Sequence, residues 1–182
     1  AGWNVALHYK TSAEDAEAVA AQIRGHGVTA ALLQADLARE AESEALVGRA
    51  AAAIGPLTAL INSASIFEND DWRSATRASW DLHMEVNLRA PLALSQRFAA
   101  QLPDGAAGNI VNIIDQRVLK PTPQFLSYSL SKAGLYWLTT TLAQALGPNI
   151  RVNAVGPGPT MRNARQSQED FSRPRDATML KR

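Results

Sequence analysis

The sequence contains no cysteine, which excludes disulfide bonds and thiolate chemistry. It has no apolar run near the roughly 20 residues of a membrane-spanning helix, and we expect no membrane contact. The formal net charge is only +1, without a cluster of basic residues, so no nucleic-acid partner is expected. The 3 histidines are scattered, without a cluster of carboxylates around them, and no metal site is predicted. This composition is compatible with the cytoplasm, where we expect the protein to act.

Length and patterning indicate one α/β domain. The 182 residues are 46% hydrophobic and 19% charged, which suits a globular chain with a buried core, and we assign residues 1–182 to one domain. Predicted strands alternate with predicted helices, an order typical of a doubly wound parallel sheet with helices on both faces. The predicted strands are 5–9, 28–34, 57–62, 109–115 and 150–155, and the predicted helices are 12–24, 38–53, 79–102 and 124–146. Pro91 is expected to kink its helix or to lie where its missing N–H is tolerated.

The stretch from Asn109 to Lys132 carries the strongest chemical pattern. Branched apolar residues indicate a buried strand that ends at the polar Asp115, where a parallel sheet opens into a site. Tyr128 and Lys132 are four residues apart, so they lie on one face of a helix. A nearby ammonium lowers the pKa of a phenol from about 10, which makes such a pair able to transfer protons. Alone, this spacing more often marks a half-buried tyrosine beside a solvated lysine, so its surroundings decide its meaning.

The sequence resembles the short-chain dehydrogenase/reductase family over nearly its whole length. Four motifs carry the resemblance: Tyr128 with Lys132, Asn87 within Val86-Asn87-Leu88, Asn62-Ser63-Ala64, and the stretch from Arg151 to Gly158. In the family these motifs are the catalytic pair, a helix asparagine, an Asn-Asn-Ala-Gly stretch after a strand, and the strand and turn near the nicotinamide. Ser63 and Ser65 depart from that pattern. The resemblance implies a Rossmann-type fold and a nicotinamide cofactor.

A further departure from the family is informative. Most members have a serine thirteen residues before the catalytic tyrosine, whereas this chain has Asp115. With this aspartate, the stretches Asn62–Phe67 and His8–Ser12 resemble the pteridine reductase branch of the family. An ionised aspartate only accepts hydrogen bonds, so it suits a ring with N–H and amino donors, such as a pterin, or a proton shared with Tyr128. The alternative is a reductase whose activity is lost or altered.

The end of the first predicted strand favours NADP(H). Lys10, Thr11 and Ser12 offer a cation and two hydroxyls, whereas an acid here would bind the ribose of NAD and repel a 2′-phosphate. The alternatives are a solvated Lys10 and a Ser12 that caps the next helix. By resemblance Asp36 holds the adenine, although it can also cap the helix that follows. The resemblance places further residues at the cofactor: His8, Leu37, Asn62, Ser63, Ala64, Tyr128, Lys132, Pro157 and Gly158.

The resemblance also assigns catalytic roles to Asn87, Asp115, Tyr128 and Lys132. Lys132 is expected to hold the nicotinamide ribose and to lower the pKa of Tyr128. Asn87 is expected to open its helix locally and to hold a water that relays protons to the lysine. Phe67 is expected to stack on the substrate ring opposite the nicotinamide, unless it is an ordinary packing residue. The residues expected to contact the substrate are Ser65, Phe67, Asp115 and Tyr128.

These observations favour an NADPH-dependent reductase of pterin-like C=N bonds, whose substrate is a small molecule. Hydride would come from the nicotinamide, and a proton from Tyr128, Asp115 or a bound water. Two alternatives stay open, namely a short-chain reductase of another carbonyl or imine, and a dinucleotide-binding protein without turnover. The motifs Asn87, Tyr128 and Lys132 count against the second alternative.

The resemblance predicts features of the whole molecule as well. In the family, a strand with a glycine-rich turn precedes the first strand of this chain and another strand follows its last, so we expect an incomplete domain. The helices 79–102 and 124–146 resemble the pair that meets across the family's dimer interface, which predicts a homotetramer. The polar stretch from Pro157 to Arg182 is a candidate lid.

Overall fold

The computed structural model describes residues 2–158, which form five strands and five α-helices in alternation. The strands are β1 (Val5–Tyr9), β2 (Ala30–Gln34), β3 (Ala59–Asn62), β4 (Gly108–Ile113) and β5 (Ile150–Val155). The helices are α1 (Ala13–Arg24), α2 (Glu40–Ile54), α3 (Arg77–Met84), α4 (Ala90–Gln101) and α5 (Leu126–Leu146). A π-helical segment, Glu85–Arg89, joins α3 to α4, and a short 3-10 helix, Gln116–Val118, follows β4.

All strand pairings in the described residues are parallel, which confirms the predicted doubly wound α/β class. β1 pairs with β2, and β4 lies between β3 and β5 with Ile110 opposite Val152. The strands make two sheets rather than one, because no strand among residues 2–158 pairs with both β1 and β3. A cleft of about 1010 Å³ lies between the two sheets and is lined mainly by residues 2–8 and 56–64.

Two apolar clusters form the core. The first contains Leu33, Val47 and Leu94 and packs α2 and α4 against the strands. The second is built on Phe98 and Ile110, which join α4 to the sheet of β4 and are fully buried. Burying a side chain of this size stabilises a fold by about 1.5–3 kcal/mol. The clusters therefore hold the strands in place while their carboxyl ends stay free for chemistry.

The helix predicted over residues 79–102 is divided. The π-helical segment Glu85–Arg89 separates α3 from α4, and such segments are frequent at functional sites. Pro91 lies in the first turn of α4, where its missing N–H costs little, so the second of the two expectations for it is correct. Helix α5 approaches the π-helical segment closely, because a Cβ added at Gly134 would lie 2.8 Å from Cδ2 of Leu88.

Part of the sequence-based interpretation falls outside the described residues. The candidate lid runs from Pro157 to Arg182, and only Pro157 and Gly158 belong to the described residues. Within residues 2–158, no helix combines the length and the hydropathy needed to cross a bilayer. The same residues contain no group of three or more metal-ligating side chains.

Candidate active site

The carboxyl ends of β3, β4 and β5 meet at one edge of their sheet, because the three strands are parallel neighbours. Asn62 ends β3, Asp115 follows the end of β4, and Pro157 and Gly158 follow the end of β5. In open α/β sheets, ligands bind outside this edge. The fold therefore brings together residues that lie far apart in the sequence.

Asp115 and Tyr128 are in direct contact. The Tyr128 hydroxyl donates a hydrogen bond to Oδ2 of Asp115 over 2.8 Å, and the main-chain N–H of Arg117 donates to Oδ1 over 2.8 Å. The Arg117 guanidinium lies 3.4 Å from Oδ2. Asp115 thereby caps the short helix Gln116–Val118, which fixes its carboxylate at the strand end. These donors compensate a carboxylate that would be costly to bury alone.

The ionisation of Tyr128 differs from the expectation. Burial raises the pKa of Tyr128 above its ordinary value, and the charge and hydrogen bond of Asp115 raise it further. Burial lowers the pKa of Lys132 to about 8, against the opposing attraction of Asp115. The Lys132 ammonium donates to the Ile113 carbonyl over 2.8 Å and lies 5.9 Å from the Tyr128 ring centroid. The expectation of a lowered Tyr128 pKa is therefore wrong, because burial and then the Asp115 carboxylate raise this pKa, while the Lys132 ammonium stays 5.9 Å from the ring centroid.

Asn87 is fully buried in the π-helical segment and clamps a neighbouring loop. Its Oδ1 accepts from the Ile66 N–H over 2.8 Å and from the Ser65 hydroxyl over 3.2 Å. Its Nδ2 donates to the Ile66 carbonyl over 2.9 Å and to the Ser131 hydroxyl over 3.0 Å. These four bonds use both donors and both lone pairs of the amide. A water relay at Asn87 would therefore have to use its main chain.

An aromatic and cationic cluster borders Tyr128. The rings of Phe67 and Phe125 are stacked, with centroids 4.4 Å apart and an interplanar angle of 6°. The Phe67 ring also meets Tyr128 edge to face at 4.6 Å. The Arg117 guanidinium lies 5.5 Å and 5.0 Å from the Phe67 and Phe125 centroids, beside the stack rather than on its axis. Phe125 has left-handed backbone (φ 58°), which is strained for a phenylalanine and is typical of functional sites.

Lys10 and Asp36, which are predicted to bind the 2′-phosphate and the adenine of the cofactor, form an ion pair with each other. Lys10 Nζ lies 3.0 Å from Oδ2 of Asp36, and the Lys10 side chain is 48% exposed. Asp36 also accepts from the Ala38 N–H over 3.0 Å, but α2 begins at Glu40, so Asp36 is not its N-cap. The bonds from Ala38 and Lys10 hold the pKa of Asp36 below its ordinary value.

The other residues predicted near β1 are placed differently from one another. Thr11 and Ser12 are exposed, and the Ser12 side chain makes no capping bond to α1, which counts against the capping alternative. Nε2 of His8 lies 2.9 Å from the Ala35 carbonyl, so this ring links β1 to the residue after β2. Leu37 is buried in the first apolar cluster, so only its main chain can reach a cofactor.

The end of β3 fits a bound cofactor. Nδ2 of Asn62 donates to Oδ1 of Asn112 over 2.8 Å, while Oδ1 of Asn62 is buried without a hydrogen-bond partner. Such an unpaired acceptor is costly unless a ligand or water donates to it. Ser63 and Ala64 follow at the surface, where small side chains let a ligand approach the backbone.

The chain belongs to the short chain dehydrogenase family, whose sequence profile matches residues 1–172. It is 34% identical over 171 residues to the probable galactose dehydrogenase GalD of Rhizobium meliloti (strain 1021), covering 91% of this chain and 66% of that protein. FolM alternative dihydrofolate reductase 1 from Brucella canis, solved in complex with NADP, is 44% identical, with a TM-score of 0.91 over 100% of this chain and 71% of that one. A short chain dehydrogenase from Burkholderia cenocepacia J2315, also solved with NADP, is 37% identical, with a TM-score of 0.86 over 96% and 72%. This chain thus spans just under two thirds of the length of GalD.

Sequence reasoning missed several residues that build this site. Arg117 and Phe125 surround Phe67 and Tyr128, and their positions between Asp115 and the helix were the available clue. A mostly buried group of side chains behind the site was also missed, since contacts between distant segments leave no local pattern. Its members are Asp70, Ser79, His83 and Ser127.

Proposed function

We propose that this protein is an NADPH-dependent reductase of pterin-like C=N bonds. The contact between the Asp115 carboxylate and the Tyr128 hydroxyl, beside the ring of Phe67, carries the proposal. A carboxylate at this position offers acceptors to the N–H groups of a heterocycle, and an aromatic ring favours a flat partner. The 44% identity to a FolM alternative dihydrofolate reductase supports this substrate class.

The cofactor we propose is NADP(H), with which two similar structures were solved. Lys10 with the hydroxyls of Thr11 and Ser12 would receive the 2′-phosphate, because a cation and free donors suit that group. The unpaired Oδ1 of Asn62 and the ammonium of Lys132 would hold ribose hydroxyls. When bound, this cofactor supplies a hydride.

Tyr128 is the proton donor in this proposal. Its raised pKa means that the phenol reaches the substrate protonated, and Asp115 orients the hydroxyl until a substrate nitrogen replaces the carboxylate as acceptor. The positive charge of Arg117 counteracts the raised pKa of Tyr128 and would stabilise the phenolate that remains, whereas Lys132 lies 5.9 Å from the ring centroid. Asp115 itself or a bound water is the alternative donor.

Asp115→Ser is the decisive variant for the substrate class. A serine hydroxyl donates to a carbonyl oxygen, but it is neutral and has a single oxygen, so it cannot pair with two neighbouring N–H groups as the two charged oxygens of a carboxylate do. We expect the wild type to oxidise NADPH with dihydropteridines, and the serine variant to lose at least about tenfold in kcat/KM, near 1.4 kcal/mol. Asp115→Asn, which keeps the shape without the charge, is the matched control and should lose a similar amount. Wild-type activity on ketones alone, unchanged in Asp115→Ser, would contradict the proposal.

A second candidate is a reductase of another carbonyl or imine. One observation favours it, since Nε of Arg117 is buried without a hydrogen-bond partner and could donate to a carbonyl oxygen. The same assay with simple ketones and imines separates the two candidates. A non-catalytic dinucleotide-binding protein would oxidise NADPH with neither substrate class while still binding the cofactor. The cytoplasmic location stays a prediction.

A further inference from the structure

A mostly buried hydrogen-bond network lies next to the stacked rings of Phe67 and Phe125, which we call the aromatic wall. Asp70 is 4% exposed, and His83 and Ser127 are fully buried. The Ser127 hydroxyl donates to Oδ2 of Asp70 over 2.5 Å, and the Ser127 N–H donates to Oδ1 over 3.0 Å. Ser79 donates to the same carboxylate over 3.0 Å. Because Asp70, His83 and Ser127 are enclosed, these three residues cannot act on a substrate directly and must act through the residues that they hold.

The contacts of His83 determine which ring nitrogen carries the proton. The main-chain N–H of Glu68 donates to Nε2 over 3.2 Å, so Nε2 holds no hydrogen. Nδ1 lies 2.8 Å from the Ser79 carbonyl and 2.8 Å from the Ser127 hydroxyl oxygen. A carbonyl only accepts, and the Ser127 hydrogen already points at Asp70, so Nδ1 carries the proton. The imidazole is therefore neutral, with Nε2 as a hydrogen-bond acceptor and Nδ1 as a donor.

Each side of the imidazole is one residue away from a site residue. Glu68 directly follows Phe67, and Ser127 directly precedes Tyr128, whose ring centroid lies 6.3 Å from that of His83. The imidazole thus accepts a hydrogen bond from the loop that carries Phe67 and donates one to α5, which carries Tyr128. Loss of the bond from Glu68 would release the loop that carries Phe67 and change the 4.6 Å edge-to-face contact between Phe67 and Tyr128. Ser127, by contrast, keeps its two bonds to Asp70 without the imidazole.

We propose that His83 is a positioning residue that, as the Nδ1–H tautomer, sets the spacing between the Phe67 wall and Tyr128. Its role in catalysis rests on the proposed function, because the wall matters only if a flat substrate packs on it. The Nε2 acceptor holds the loop of Phe67 through the main-chain N–H of Glu68. The Nδ1 donor joins α3 to α5.

Two amide substitutions separate these two roles. Glutamine places its terminal oxygen near the position of Nε2, so His83→Gln keeps an acceptor for the Glu68 N–H. Asparagine reaches only to the position of Nδ1, so His83→Asn keeps the donor and releases Glu68. We expect amide exchange at Glu68 to rise at least about tenfold in His83→Asn, the factor that about 1.4 kcal/mol of lost protection gives. His83→Gln should stay within about threefold of the wild type.

Kinetics of the full chain give the second readout. In His83→Asn, KM for the dihydropteridine should rise at least about tenfold while the NADPH dissociation constant changes less than about twofold, since in the proposed site the substrate packs on Phe67 and the cofactor does not. His83→Gln should restore KM to within about threefold of the wild type. Equal effects of the two variants on exchange and KM would mean that His83 only stabilises the fold, and would overturn the proposal.

A measurement on the unmodified protein decides the tautomer if a variant does not fold. Long-range ¹H–¹⁵N spectra of histidine distinguish a protonated Nδ1 from a protonated Nε2. The Nδ1–H form is expected, and an Nε2–H form would overturn the proposal. Exchange and tautomer are independent of turnover. If the wild type reduces no dihydropteridine, the proposed function fails while these two measurements still decide the role of His83.

Discussion

The hydroxyl of Tyr128 donates a hydrogen bond to Oδ2 of Asp115 over 2.8 Å, which joins the first turns of α5 to the end of β4. The pKa of Tyr128 is consequently raised by the negative charge of Asp115, in addition to the larger effect of burial. Tyr128 is thus a protonated phenol that is hydrogen-bonded to Asp115, rather than a phenolate. In the proposed reaction, a substrate that competes for the carboxylate frees this hydroxyl, which would link proton supply to substrate binding.

Tyr128→Phe removes the hydroxyl and keeps the ring that contacts Phe67, so the variant should fold. If Tyr128 supplies or orients the proton, turnover should fall by about 10²–10⁴. Steady-state NADPH oxidation measures this, with circular dichroism to check folding. Tyr136→Phe is the matched control, because Tyr136 lies on the same helix with 44% of its surface exposed. Full activity in a folded Tyr128→Phe protein would place the chemistry elsewhere.

Periodicity and turn residues were enough to predict the order of elements. β1 and β5 have the predicted bounds, Val5–Tyr9 and Ile150–Val155, because each is a short, mostly apolar stretch with polar residues beside it. β2 begins at Ala30 rather than at residue 28. Just before the strand, the Thr29 carbonyl accepts a hydrogen bond from the main-chain N–H of Val5. The helix predicted over 79–102 runs from Arg77 to Gln101 and opens at the π-helical segment Glu85–Arg89, the local opening that the family resemblance implied at Asn87.

The candidate site was predicted only as far as motifs reach. Asp115 and Tyr128 were placed at one site from the strand end and the helix spacing, and the structure brings them into contact. The stacking of Phe67 on Phe125 was not foreseen, because it joins segments that lie 58 residues apart, counted from 67 to 125. The direction of the Tyr128 pKa was missed because burial, its largest cause, and the charge of Asp115, its second, both depend on tertiary packing.

Cofactor choice should depend on Lys10. Lys10→Ala removes the cation expected at the 2′-phosphate and leaves the Asp36 carboxylate, now 3.0 Å from Lys10 Nζ, without its partner. Loss of a charge-assisted contact of about 1.5–3 kcal/mol weakens NADPH binding by roughly tenfold or more. NADH binding should change little, because NADH lacks that phosphate. Titration of both cofactors measures the ratio, with Lys120→Ala as the control. Equal losses for NADPH and NADH would rule this assignment out.

Assembly should involve the outer face of α5. Leu130 and Trp137 lie seven residues apart on this helix, so they share a face, and they are 44% and 71% exposed. Exposed apolar side chains that share one helix face, rather than lying singly, favour a protein interface. We predict a homotetramer, or at least a dimer, and expect Trp137→Glu to reduce the mass measured by light scattering. Trp72→Glu, at another exposed tryptophan, is the control. A wild-type monomer at micromolar concentration would contradict this prediction.

The buried Lys132 should make the stability of the cofactor-free protein rise at alkaline pH. Its pKa is about 8 in the folded protein and 10.5 as the ordinary value, so the unfolded chain binds more protons between these limits. The cost of burying the charge is therefore fully present below pH 8 and is relieved as the pH rises towards 10.5. Between about pH 8 and pH 10 the free energy of unfolding should increase by about 2 kcal/mol relative to Lys132→Met. Urea unfolding at several pH values measures this.

The upper limit of that measurement follows from Tyr128. Because the pKa of Tyr128 is raised, the unfolded chain loses this proton first above about pH 10, and stability then falls with pH. The Lys132 effect is therefore confined to a window below pH 10, and the two residues together predict a maximum of stability near its upper end. Lys120→Met, at an exposed lysine, should follow the wild-type curve throughout. A Lys132→Met protein with the wild-type pH dependence would mean that Lys132 is not buried as a charged group.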